Sequence, residues 1–121
     1  MKEVLLVEEC EILANAIKNF FKDRGGMVKT AFSKDEADTV IGSLNLPIGE
    51  GIFMIIDVGD YEEKRCLKTI ENFKDKFPQS TVIVIAPLIN GTFAINARKA
   101  GATHFIDMGV SFWDDLEKNA Q

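Results

Sequence analysis

A chain of 121 residues supports one domain core, which excludes a multi-domain enzyme, and a hydrophobic share of 46% with 27% charged residues describes an ordinary globular chain. Nineteen acidic against fourteen basic residues leave a net charge of -5, which repels phosphate backbones and anionic lipid, so direct nucleic-acid or membrane binding is not expected. The longest apolar run, Val82 to Ile89, is far short of a membrane span or signal core, so the chain reads as cytoplasmic; Cys10 and Cys66, outside any metal-binding spacing, read as free thiols.

Val4 to Val7 is a short β-branched and Leu run that reads as a first strand. Beyond Glu8-Glu9 the apolar positions become Ile12, Leu13, Ala16, Ile17, Phe20 and Phe21, a helical stripe. Asp23-Arg24-Gly25-Gly26 ends that helix, and Met27 to Phe32 reads as a second strand. Ser33-Lys34-Asp35-Glu36 has capping-box spacing, which predicts a helix from about Lys34 through Leu44, broken by the Pro- and Gly-containing stretch from Leu46 to Gly51. Ile52 to Ile56 is apolar at every position, as in a strand covered on both faces, and stops at Asp57. A helix from about Glu63 to Phe77 aligns Leu67, Ile70, Phe73 and Phe77 before Pro78. Thr81 to Ala86 repeats the all-apolar strand. A helix from Thr92 to Ala100 stops at Gly101, His104 to Ile106 forms a fifth strand, and Ser111 caps a last helix with Phe112, Trp113 and Leu116.

Five strands alternating with five helices, the middle strands apolar throughout, predict an α/β fold: a doubly wound five-stranded parallel sheet in a three-layer sandwich, one domain over residues 1–121. The flavodoxin-like strand order 2-1-3-4-5 places a switch point between strands 1 and 3, where ligands collect at the carboxyl ends. Glu8, Glu9 and Asp57 stand there. Three converging carboxylates repel one another unless a cation joins them, and such hard oxygens suit weakly held Mg²⁺. Taken singly, each acid is better read as a solvated loop residue; their placement on two adjacent strand ends is what favours a site.

The chain resembles the response-regulator receiver domains of two-component signalling. The matching residues are Val4-Leu5-Leu6-Val7-Glu8-Glu9, Ile55-Ile56-Asp57, Phe77-Pro78 before Val82-Ile83-Val84-Ile85, and Ala100-Gly101-Ala102 before Phe105. The resemblance implies that Asp57 accepts a phosphoryl group from a histidine kinase or phosphotransfer protein. It also implies that Glu8, Glu9, Asp57 and the Gly59 carbonyl hold the metal. Activity is then limited to self-phosphorylation and self-dephosphorylation, and the chain is not otherwise an enzyme. The face of helix 4, strand 5 and helix 5 would dock a protein partner or a second copy.

The departures lie on the other loops. Where the family has Thr or Ser at the end of strand 4, this chain has Ala86; where it has Lys followed by Pro after strand 5, this chain has Met108-Gly109. Asp60-Tyr61 replaces the usual Met-Pro, and Glu62-Glu63 add negative charge, with Lys64 and Arg65 the nearest cations in sequence. Phe105 falls at the family's aromatic switch position and, with no hydroxyl at Ala86 to follow, is expected to stay inward. Phosphorylation should then be a weak lever on conformation, and a pseudo-receiver that works without phosphate is the alternative. His104 reads as a surface histidine, and Cys10 as a thiol made less reactive by its acidic neighbours. An FMN site would want a Ser/Thr/Gly-rich loop where Glu8-Glu9-Cys10-Glu11 stands, and a haloacid-dehalogenase-type phosphatase an Asp-x-Asp that the sequence lacks. No output domain follows Gln121 in this sequence, which leaves a stand-alone receiver or a part of a longer protein.

Overall fold

The computed structural model describes residues 3–44, 52–59, 62–87 and 89–120; the helix break read at residues 46–51 and the Asp60-Tyr61 pair lie outside the described residues. In chain order the elements are β1 (Glu3–Val7), α1 (Glu11–Lys22), β2 (Met27–Ala31), α2 (Lys34–Ser43), β3 (Ile52–Asp57), α3 (Glu63–Lys76), β4 (Thr81–Ala86), α4 (Gly91–Ala100), β5 (His104–Asp107) and α5 (Phe112–Asn119). The strands form one parallel sheet in the order β2-β1-β3-β4-β5, the doubly wound arrangement expected from the alternation of elements.

Because side chains on a strand point alternately to opposite faces, the all-apolar strands feed two cores. Leu5, Met54, Ile56, Val82 and Val84 meet Ile41 of α2, Ile70 and Phe73 of α3 and Phe93 of α4. On the other face Leu6, Phe53, Ile55, Ile83 and Ile85 meet Ile17 and Phe21 of α1 and Phe112 and Leu116 of α5. Each such side chain contributes roughly 1.5–3 kcal/mol by leaving water, so a polar residue inside either strand would be excluded on energy alone. The polar residues that matter therefore stand just beyond the strands.

The helix ends follow local chemistry. At α2, Ser33 Oγ accepts a hydrogen bond from Glu36 N at 3.0 Å, and Glu36 Oε2 accepts one from Phe32 N at 3.3 Å, so the capping box closes through the residue before the cap. Asn90 caps α4 by accepting from Phe93 N at 2.8 Å. Ser111 stands at the start of α5 but its hydroxyl donates to Asp115 Oδ2 at 3.0 Å, so it does not cap the backbone as expected.

Two expectations about apolar faces need correction. The inward residues of α1 are Ala14, Ile17 and Phe21, with Leu13, Ala16 and Phe20 half-buried, whereas Ile12 is 85% exposed. Ile12 precedes Ala14 by two residues, about 200° around the helix, which turns it outward. Phe32 lies past the end of β2 and is exposed, so the second strand is one residue shorter than the expected Met27 to Phe32.

Gly101 ends α4 at φ 124°, and a Cβ there would lie 2.4 Å from Lys74 Cγ. The Lys74 stem is held in place by its Nζ, which donates to the carbonyls of Pro78 and Ser80 at 3.1 and 2.7 Å. Gly101→Ala therefore meets both a strained φ and a crowded neighbour, and should destabilise the domain by about 1–3 kcal/mol, read as a lower urea midpoint with an unchanged slope.

Candidate functional site

The parallel pairing of β1 with β3 sets Val7 beside Ile56, so the next residues, Glu8 just past β1 and Asp57 at the end of β3, emerge side by side at the carboxyl edge. Backbone bonds continue past both strand ends, from Glu8 N to Ala31 O at 3.0 Å and from Val58 N to Ile85 O at 3.1 Å. The acids are thus carried by the sheet itself. Glu8 is only 2% exposed; its Oε2 accepts from Cys10 N at 3.1 Å at the mouth of α1, while its buried Oε1 has no hydrogen-bond partner. Asp57 Oδ1 accepts from Gly59 N at 3.1 Å, in a turn that Gly59 permits at φ 78°.

Burial, and after it the neighbouring Asp57 carboxyl, pushes the Glu8 carboxyl up to about 7 from the ordinary carboxylate range. Two acceptors face each other there, and a proton or another cation must lie between them. Glu9, at the surface, is also raised, first because its carboxyl meets that of Glu62 and then by the Glu62 charge, with Lys34 acting in the opposite direction. Four carboxyl groups, from Glu8, Glu9, Asp57 and Glu62, therefore border one loop cluster.

The cation among them is Lys34. It occupies the first position of α2 and is 3% exposed, with Nζ donating to Val58 O at 2.9 Å and to Glu62 Oε1 at 3.2 Å. A Cβ on Gly59 would lie 2.9 Å from that Nζ, so the ammonium lies directly beneath the loop that follows Asp57. In the sequence Lys34 is legible only as part of a helix cap, and Lys64 and Arg65 are the cations nearest the loop. A signal was present: a Lys in the first helical turn opposes the helix macrodipole, and such a cation needs an anionic partner elsewhere. Lys64 is exposed, and Arg65 turns to α2, pairing with Asp35 at 2.7 Å and with Asp38, and donating to Thr69 Oγ1 at 3.1 Å.

The expected degenerate positions are placed as follows. Ala86 is buried, in the core under α2, α3 and α4. Met108 is half-buried against the opposite core, and its N donates to Ala86 O at 3.0 Å, so a side chain expected only to lack charge serves as packing. Phe105 is half-buried, not fully inward as expected: with no side chain but a methyl at Ala86, its ring packs on the core and takes the Arg98 guanidinium over its face at 4.8 Å. His104 is half-buried beside it, less open than the surface position expected.

The oxygens of Glu8, Glu9, Asp57 and the Gly59 carbonyl suit a hard divalent cation, and the buried, unpartnered Glu8 Oε1 is an acceptor that a cation would satisfy. With Glu9 turned to Glu62, no group of three or more His, Cys, Asp or Glu among the described residues is arranged to hold a metal ion. The positive charge at hand is an ammonium.

No protein-family model and no curated protein matches the chain in sequence. Solved structures match it throughout its length. A response regulator from Thermotoga maritima superposes with a TM-score of 0.77 at 24% identity, covering 99% of this chain and 98% of that one. A Burkholderia pseudomallei response regulator protein, solved with a phosphorylated aspartic acid, a calcium ion and citrate, gives 0.82 at 21% identity, covering 100% of this chain and 67% of that one. A signal receiver domain of a histidine kinase from Clostridium thermocellum gives 0.81 at 17% identity, over 98% and 93%. The chain has the response-regulator receiver fold. No helix among the described residues of this receiver-type domain is long and apolar enough to cross a membrane.

The two thiols of the receiver-type domain differ sharply. Cys66 is buried under the site, and burial pushes its thiol up to about 12, while Cys10 is exposed. Only thiolate reacts, so a maleimide at pH 7 should label Cys10 alone in the folded protein, and Cys66 should join it only in denaturant. Two labels per folded chain by mass spectrometry would contradict the packing of α3 on the sheet.

Proposed function

We propose that the chain is a receiver-type module of two-component signal transduction, in which Asp57 takes a phosphoryl group from a histidine kinase or phosphotransfer protein and the resulting change in conformation is weak. The observation that carries this reading is the juxtaposition of Asp57 at the end of β3 with Glu8 at the end of β1, in a fold shared with receiver domains. An Asp57 carboxylate oxygen would attack phosphorus in line, forming an O–P bond as the donor's P–N bond breaks, to leave an acyl phosphate on the protein. A bound Mg²⁺ would be held by Glu9, Asp57 and the Gly59 carbonyl, with Glu8 reached through water, and would neutralise phosphoryl oxygens. Beyond this self-phosphorylation and its hydrolytic reversal, the reading assigns no enzymatic activity.

The weak response follows from magnitudes. A charge-assisted hydrogen bond contributes about 1.5–3 kcal/mol and a neutral one about 0.5–1.5, whereas carrying a two-state domain from mostly off to mostly on needs about 5.5 kcal/mol of differential binding. Ala86 and Met108 offer neither a hydroxyl nor a cation to a phosphoryl group on Asp57. A second reading, a pseudo-receiver whose α4, β5 and α5 face binds a protein partner or another copy regardless of phosphate, draws on the same residues and on Phe105 lying under Arg98.

Acetyl phosphate with Mg²⁺ should label the wild type; Asp57→Asn should lose the label, and Met108→Lys should raise its yield by restoring a cation for the incoming charge. A label that survives Asp57→Asn would place the acceptor elsewhere. In a separate measurement, beryllofluoride should shift amide resonances around Glu9 and Asp57 while those of Arg98 and Phe105 stay put. Large shifts at Arg98 and Phe105 would mean that the phosphoryl site drives the α4, β5 and α5 face after all, and the conventional switching receiver would be the correct description.

A further inference from the structure

We propose that the open edge of β2 takes up an extended segment of a partner protein, alternating acidic and apolar residues, as a sixth strand of the sheet. The proposal is independent of the chemistry at Asp57. A groove of about 770 Å³ lies along β2, and residues from both faces of the sheet line it, with Lys18 and Lys22 of α1 on one face and Leu44 and Phe73 on the other.

The backbone supplies the first observation. β2 ends the sheet, with β1 on one side and no described strand on the other. Ala31 O accepts from Glu8 N, so the backbone polar groups of Ala31, and with them those of Lys29 and Met27 at the two-residue repeat, are turned to β1. Those of Val28 and Thr30 are turned to the open edge, where they form a template for an added strand. The side chains supply the second. Lys18, Lys22 and Lys29 border the groove against one carboxylate, Glu3, among its described lining residues, and none of the three lysines pairs with an acid among the described residues. The chain as a whole carries a net charge of -5, but beyond about 8 Å exposed charges are largely screened at physiological salt, so the lysines decide what the groove attracts. Met27 and Phe32, both exposed, and the half-buried Leu44 add apolar surface beside them.

The two faces specify the occupant. Side chains of an added strand alternate between them, so every second residue meets Lys18 and Lys22 on the α1 face, while those between meet Met27 and Leu44 on the α2 face. Lys29, two residues from Met27, shares that second face and adds a third positive charge. A segment that alternates carboxylates with aliphatic side chains matches both faces and gains backbone bonds to Val28 and Thr30. A second copy joined edge to edge would set the lysines of one β2 against those of the other. Edge lysines guard a strand against such self-pairing, and an acidic strand turns the same charges into attraction.

The test uses the intact chain and a short fluorescein-labelled peptide that alternates Glu and Val, with binding followed by anisotropy and by amide shifts in NMR. The Glu/Val peptide should bind and shift the amides of Val28 and Thr30. Its Gln/Val counterpart, which lacks the charge, and a Glu/Val peptide N-methylated along its backbone, which cannot donate to the edge, should each bind at least tenfold more weakly. Lys18 is half-buried and Lys22 exposed, so the double variant Lys18→Glu, Lys22→Glu should keep the fold and lose at least tenfold in affinity for the Glu/Val peptide. Equal affinity for the Glu/Val and Gln/Val peptides, undiminished binding of the N-methylated peptide or by the double variant, amide shifts confined to other surfaces, or no binding by the wild type would each overturn the proposal. Shifts at Val28 and Thr30 that grow with protein concentration in the absence of peptide would assign the edge to a second copy and overturn it equally.

Discussion

The site depends first on the register between β1 and β3. Pairing Val7 with Ile56 brings two strand ends out at one level, and the sheet stops being apolar on both at the next residue. A slip of one residue would exchange the faces of every side chain on β1, so the hydrophobic pattern that fixes the core also fixes where Glu8 meets Asp57. The ladder continues one residue further, through Glu8 N to Ala31 O and Val58 N to Ile85 O, which leaves the acids little freedom to part. Repulsion between them is therefore built in by packing, and the chain must meet it with charge from elsewhere.

A buried cation stands at the neighbouring loop, carried by α2. Lys34 meets the β3 to α3 loop at Val58 and Glu62, Arg65 on α3 reaches back to Asp35 and Asp38, Asn72 donates to Asp38 at 3.2 Å, and Lys76 donates to Ile41 O at 2.6 Å. Exposed ion pairs of this kind contribute little singly, about 0–1 kcal/mol, and Asp35 is well exposed. Lys34 differs because it is buried: removing its partners would leave an ammonium without compensation, which costs far more than a surface pair returns. The electrostatics of the site thus bind it to α2 and α3.

The sequence exposed the architecture because its signal is redundant. Two runs in which every residue is apolar, Ile52 to Ile56 and Thr81 to Ala86 after its first residue, leave only central parallel strands as an explanation, and breaks at Asp57, Gly101 and Ser33 mark the ends. The positions of Glu8 and Asp57 followed at once from strand order. Contacts that depend on how a helix is rotated did not follow. Ile12 sat within an apolar stripe yet faces solvent, and Phe105 is half covered by an arginine that no spacing rule ties to it. Lys34 was hidden for the opposite reason: local capping chemistry explains its neighbours so well that nothing nearby calls for its burial.

Set side by side, the two flanks of Asp57 are unequal. Toward α2 and α3 the loop is tied by a buried ammonium and, farther along, by a guanidinium network; toward β4 it has the bond from Val58 N to Ile85 O at 3.1 Å, and beyond it Ala86 and Met108 pack in the two cores and bond to each other through Met108 N and Ala86 O at 3.0 Å. Coupling between distant surfaces requires an element with two arrangements that a ligand at the site can tell apart. The Ala86 methyl and the Met108 thioether pack into the cores on either side of the sheet, and neither side chain has a charge or a hydrogen bond to exchange. Lys34 has both, together with acceptors on two elements. On the proposed reading, an event that changes the charge around Asp57 would be felt first where α2 meets α3.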